Sequence, residues 1–146
     1  MIRTVAFALT LSLLPFLTGC GSPSLYPVTG TVKLKGKVVP GCKVILAPAE
    51  GTDPQSFGFG ITDKDGRFEI QQPQGEKGIR AGKYKVGFVA WVDGKSGKPV
   101  PADAKPSEVE GGVKNIFGDK YETPSSSPET IDVPKGGTQK EFDITL

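Results

Sequence analysis

Gly82-Lys83-Tyr84-Lys85-Val86-Gly87-Phe88-Val89-Ala90-Trp91-Val92 puts Tyr84, Val86, Phe88, Ala90 and Val92 on one side of an extended chain and Lys83, Lys85 and Trp91 on the other. A two-residue period of this kind marks a strand with one face in a core and one toward water. The same alternation recurs on both sides of it. Val28, Gly30, Val32 and Leu34 alternate with Thr29, Thr31 and Lys33, and after a turn at Val39-Pro40-Gly41 the pattern resumes with Cys42, Val44 and Leu46 until Pro48. Phe57, Phe59 and Ile61 alternate with glycines, Phe68 and Ile70 follow the Asp63-Lys64-Asp65-Gly66 turn, and Ile131 with Val133 and then Phe142 with Ile144 close the chain. These segments predict an all-β fold, a seven-stranded antiparallel β-sandwich over residues 28–146. Residues 93–128 break the pattern and predict a long loop with a short helical turn near Pro106 to Glu110.

Composition agrees with many short elements joined by turns: 20 Gly and 13 Pro in 146 residues leave little room for long helices. With 18 basic and 16 acidic residues the formal charge is +2, which marks no nucleic-acid partner. The chain has no histidine, so a Ser-His-Asp triad, a Cys-His pair and His-ligated metal sites are excluded.

The N-terminus has a different character. Arg3 precedes an apolar stretch from Val5 to Leu17, followed by small residues and a cysteine, the layout of a secretory signal. That stretch contains Pro15 and falls short of the roughly 17–25 residues a membrane-crossing helix needs. Leu17-Thr18-Gly19-Cys20 resembles the bacterial lipobox. The resemblance implies cleavage between Gly19 and Cys20 and a diacylglyceryl thioether on Cys20. Residues 1–19 would then be signal peptide and residues 20–27 a lipidated tether, exported and anchored to a bacterial membrane facing the periplasm or cell surface. Two acyl chains suffice for stable anchoring without a basic patch. Gly21, in place of an aspartate, points toward the outer membrane.

Few side chains beyond Cys20 suggest chemistry. Asp63-x-Asp65-Gly66 has the opening of a calcium loop, yet no further acid arrives at the required spacing, and it reads as an Asx-Gly turn. Cys42 shares the parity of Val44 and Leu46 and reads as a buried thiol. A Cys20–Cys42 disulfide and a lipid on Cys20 exclude each other. Glu108 and Glu110 read as a solvated acidic surface rather than a glycosidase pair. Trp91, on the polar parity, and Tyr121, at the end of the long loop, are the candidate partner-contact residues, since exposed aromatics stack on sugars or grip side chains. The alternative for Trp91 is that the loop folds back over it. No metal or cofactor is expected.

The succession Val28-Thr29-Gly30-Thr31-Val32, Gly36-Lys37-Val38-Val39-Pro40-Gly41-Cys42-Lys43-Val44, Thr62-Asp63-Lys64-Asp65-Gly66-Arg67-Phe68 and Gly82-Lys83-Tyr84-Lys85-Val86 resembles carboxypeptidase regulatory-like domains. Lys120-Tyr121, Pro124-Ser125 and Phe142-Asp143-Ile144 resemble the C-terminal part of small envelope lipoproteins of this kind. The resemblance implies a transthyretin-like or immunoglobulin-like topology and an extracytoplasmic location. It implies no activity, because the domain is an appendage in the enzymes that named it. The expectation is a non-enzymatic lipoprotein with a structural or protein- or glycan-binding role. The rivals are a transthyretin-like small-ligand carrier, which needs an oligomeric channel, and a surface hydrolase, which needs converging acids.

Overall fold

The computed structural model describes residues 23–101 and 103–146. The signal segment, the Gly19–Cys20 bond and Cys20 lie outside the described residues. What is described is all-β: ten strands, one 3-10 turn at Pro106–Glu108 and one short helix, α1 (Asp119–Glu122).

The strands are β1 (Val28–Leu34), β2 (Lys37–Val38), β3 (Lys43–Pro48), β4 (Gly58–Ile61), β5 (Arg67–Glu69), β6 (Gly82–Val89), β7 (Trp91–Asp93), β8 (Val113–Asn115), β9 (Thr130–Val133) and β10 (Thr138–Ile144). They form two four-stranded sheets and a two-stranded ribbon among the described residues. In the first sheet β10 lies along one edge of β1, while β2 and β5 share the other. In the second the order is β4-β3-β6-β9, antiparallel throughout. The ribbon pairs β7 with β8.

In β1, β3, β6, β9 and β10 the alternation read from sequence is the alternation of burial, but around β4 it is inverted: Gly58 and Gly60 face the core while Phe57 and Ile61 are exposed. Val28 and Val32 of β1, Val44 and Leu46 of β3, Tyr84, Val86 and Phe88 of β6, Ile131 and Val133 of β9, and Phe142 and Ile144 of β10 are all buried in one core. Phe88 of the second sheet meets Phe142 of the first with ring centroids 5.1 Å apart. The inward faces of the two sheets therefore share that core. Gly30 is required where β1 faces Phe68, because a Cβ there would sit 2.0 Å from the Lys140 carbonyl oxygen and 2.7 Å from the Phe68 ring. Gly66, at φ +73°, supplies the positive φ of the turn before β5.

Three expectations need correction. The pairing is not wholly antiparallel, because β1 and β10 run parallel from Val28↔Thr138 to Leu34↔Ile144. The stretch from Gly82 to Val92 is not one strand, because it leaves the second sheet at Ala90 and continues as β7 in the ribbon. Residues 93–128 hold the expected helical turn, at Pro106–Glu108, but are not otherwise a plain loop, for they also supply β8 and α1.

The break at Ala90 has a specific cause. The Ala90 N–H donates to Asn115 Oδ1 (3.1 Å), and Asn115 Nδ2 donates to the Phe88 carbonyl (2.9 Å). One buried side chain thus satisfies backbone groups that strand pairing would otherwise have used, and it fastens β8 beside the end of β6.

Candidate functional site

β1 defines two poles. Six steps of about 3.3 Å separate Val28 from Leu34, roughly 20 Å. At the Val28 pole the incoming chain is held by reciprocal bonds, Tyr26 N–H to the Ile79 carbonyl (2.8 Å) and Ile79 N–H to the Tyr26 carbonyl (3.0 Å). The Pro27 carbonyl there accepts from Thr138 N–H (2.9 Å). At the Leu34 pole Val38 pairs with Lys33, and Val39 N–H donates to the Val32 carbonyl (3.0 Å).

An apolar cleft of about 520 Å³ occupies the Leu34 pole. One lip is the turn Val38 to Gly41, the floor is Ala90 to Val92 with Ile116, and the other lip is Pro99 to Pro101. Each part is pinned by a buried polar side chain or by backbone pairing. Thr62 Oγ1 donates to the Val39 carbonyl (2.6 Å) and accepts from Cys42 N–H (2.8 Å), which holds the first lip. Asn115 holds the floor. The second lip is bound to β7 by Val100 N–H to the Trp91 carbonyl (2.8 Å) and Asp93 N–H to the Lys98 carbonyl (2.9 Å). The Gly94 to Gly97 turn behind it is organised by Asp93 Oδ1, which accepts from Ser96 N–H (2.6 Å) and Lys95 N–H (2.9 Å). Hydrogen bonds from Ser96, then from Lys95, hold the Asp93 carboxyl below the usual range. This turn is stabilised by the ionised acid and loosens as pH falls through the depressed folded pKa.

The loop therefore folds back against Trp91 without sealing it. The indole is half-buried in the cleft floor, and Val38 is 45 % exposed. Tyr121, the other candidate contact, is elsewhere: it is buried and packs against Phe88 with centroids 6.4 Å apart. β9 pairs with β6 only as far as Lys85, and Tyr121 with Phe117 fills the seam beyond. Its ring is thus core and is not presented to a partner. Sequence reasoning missed Val38, Pro40, Pro99 and Pro101, and also Thr62 and Asn115 as positioning residues. Proline and valine cluster around short turns at the four lining residues, but no local signal pointed to Thr62 or Asn115.

The remaining candidates are engaged in their own turns and local pairs. Asp63 Oδ1 accepts from the N–H groups of Asp65 and Arg67, both 2.9 Å, so it caps its own turn. Among the described residues no group of three or more Asp, Glu, Cys or His is placed to hold a metal. Glu108 and Glu110 are exposed, and Glu108 pairs with Lys105 at 3.2 Å. Near the Val28 pole Tyr84 Oη donates to the Arg80 carbonyl (2.7 Å) and meets Ser56 Oγ at 2.6 Å. Burial raises the Tyr84 pKa.

Cys42 is fully buried, and burial pushes its thiol up to about 12 from an ordinary value near 9. The neutral thiol is inert as a nucleophile. Native protein at pH 8 is expected to resist iodoacetamide, whereas denatured protein reacts at Cys42 within minutes; mass spectrometry of quenched samples distinguishes the two. Because the unfolded thiol ionises first, its contribution to stability is complete below pH 9 and is lost as pH rises toward 12.

No family model matches the chain, and no curated protein sequence does either. Among solved structures it is similar to a 9R-lipoxygenase from Cyanothece PCC8801, at 22 % identity and a TM-score of 0.36. That similarity covers 84 % of this chain and 16 % of the lipoxygenase. So partial and distant a likeness carries nothing about activity.

Proposed function

We propose that the chain is an exported, non-enzymatic lipoprotein of the bacterial envelope whose β-domain binds a partner protein through the Trp91 cleft. In this reading the domain is a sandwich of transthyretin-like or immunoglobulin-like topology, in line with its resemblance to carboxypeptidase regulatory-like domains. Cys20 carries the lipid and residues 20–27 form the tether.

The observation that carries the binding role is the position of the cleft. The chain enters at the Val28 pole and the cleft lies at the other end of β1, so a tether on Cys20 turns the apolar opening away from the lipid surface. From Cys20 to Tyr26 the leader reaches only about 20 Å at 3.3 Å per residue, which keeps the domain near the membrane while leaving that pole open. A cleft of this kind suits a partner approaching from the aqueous side. Glycan binding is less well served, because Trp91 alone among the lining side chains carries a polar group.

Two measurements test the reading. Thiol titration of the purified protein in denaturant is expected to count one group, Cys42, because a thioether removes Cys20. Two thiols would defeat the anchor, and so would none with a mass showing a disulfide. Cross-linking in intact cells is expected to give adducts that Trp91→Ala loses and Glu110→Gln keeps. Adducts unchanged in Trp91→Ala would remove the cleft from the binding role.

A further inference from the structure

The cleft's backbone and rim specify the chemistry of what it holds, given its reading as the binding site. We propose that it grips an extended, proline-containing acidic segment of another protein, docked in polyproline II conformation.

Three observations lead there. First, neither the floor nor the Pro99–Pro101 lip can add a strand. β7 is paired on one edge with β8 and on the other with the Pro99–Val100 segment, and Pro40, Pro99 and Pro101 lack the N–H a ladder needs. A ligand that docks by side-chain packing avoids that limit. A polyproline II chain makes no internal hydrogen bonds and is already extended, so it loses little entropy on binding. Aromatic-lined grooves are the surfaces that take it, and Trp91 with neighbouring prolines forms one.

Second, the lining does not suit a small amphiphile. Small-molecule sites combine an apolar pocket with a few converging polar groups that orient the ligand. Here the lining is Val, Pro, Gly, Ala and Ile around one indole.

Third, three lysines flank the cleft segments. Lys37 precedes Val38, Lys98 precedes Pro99, and Lys114 pairs across from Val92. All three are exposed, and none makes a salt bridge among the described residues. Of the acids beside these segments, Asp93 is committed to the amides of Lys95 and Ser96, and Asp63, whose turn packs on Val38 through Gly66, to those of Asp65 and Arg67, while Asp65 is exposed next to Lys64. Asp103, exposed two positions after Pro101, lies beyond the lip in sequence. Carboxylates on the ligand meet lysines that make no salt bridge among the described residues.

The chain has one tryptophan, so intrinsic fluorescence reports directly on the cleft. Protein as purified from cells is titrated with a blocked peptide of about nine residues alternating proline and glutamate, with its lysine counterpart, and with laurate. The glutamate peptide is expected to give a saturable shift with a Kd on the order of 100 µM, weakening several-fold between about 50 and 500 mM salt. The lysine peptide is expected to give none. Lys37→Glu with Lys98→Glu should raise Kd at least tenfold with the thermal midpoint unchanged. Equal response to both peptides, response to laurate alone, or no saturation would overturn the proposal. So would a spectral shift that follows protein concentration together with a dimer mass in light scattering, which would make a second copy the occupant. If the peptides fail while cellular cross-links still require Trp91, the binding role stands and the peptide chemistry falls.

Discussion

Phe88→Ala is expected to cost about 3–5 kcal/mol of folding stability, the usual range for emptying a buried aromatic site. The reason for placing it at the upper end is the number of parts that meet there. Phe88 is fully buried, with ring centroids 5.1 Å from Phe142 on β10, 5.7 Å from Phe117 and 6.4 Å from Tyr121. Those rings come from the opposite sheet and from the segment that closes the seam beyond β9. Truncation therefore removes a contact between sheets and unseats the closing segment together, and aromatic pairs add about 0.5–1.5 kcal/mol each beyond buried area. Domains have only about 5–15 kcal/mol in total, so roughly a third or more of the stability is at stake. Urea unfolding followed by far-UV circular dichroism measures it. A loss below about 1 kcal/mol would mean that the two faces do not depend on this ring for their packing.

What the sequence reveals and what it hides follow from the same physics. β1, β3, β9 and β10 are legible because a half-buried strand must alternate, and each does so within its own residues. Alternation carries no direction, however, so nothing in Thr138–Ile144 says that β10 runs parallel to β1. The break at Ala90 is equally silent, since Ala90 and Val92 continue the period of β6. What ends the strand is Asn115, 25 positions away. Tyr121 misleads for a related reason: an isolated aromatic in a polar stretch looks exposed, and only the early end of β9 at the Lys85 register opens a place for it in the core. The cleft was hidden because its lips read by themselves as turns and its floor reads as the end of a strand, and nothing local says that the chain brings Val38–Gly41 against Ala90–Val92 and Pro99–Pro101. Cys42 was legible, because its parity on the approach to β3 assigns it inward and the structure buries it. Cys20 is a different case: its reading rests on local sequence alone and awaits the thiol count.

Asn115→Leu is expected to cost about 2–5 kcal/mol although it changes side-chain volume little, because the loss is one of satisfaction rather than of packing. The amide side chain serves three backbone groups: it accepts from Ala90 N–H at 3.1 Å, donates to the Phe88 carbonyl at 2.9 Å, and accepts a longer bond from Phe117 N–H at 3.4 Å. Asn115 is 3 % exposed, so water cannot readily replace it, and each strong bond lost leaves a buried group costing about 1–3 kcal/mol. The damage should also be local. β3 and β6 keep their own ladder, while β7 and β8 lose the clamp that fixes the cleft floor beneath Trp91. Hydrogen exchange should then show the amides of Trp91–Asp93 and Val113–Asn115 losing protection well before those of Lys43–Pro48. Trp91 emission should move toward longer wavelength in the native baseline, as a half-buried indole gains water. Peptide affinity should fall even under conditions where the domain remains folded. Uniform loss of protection across both sheets would refute the local clamp and make Asn115 a general core residue. Unchanged protection in β7 and β8 would show that the ribbon holds without it, and the precision of the cleft would then have to come from the Pro99–Pro101 lip alone.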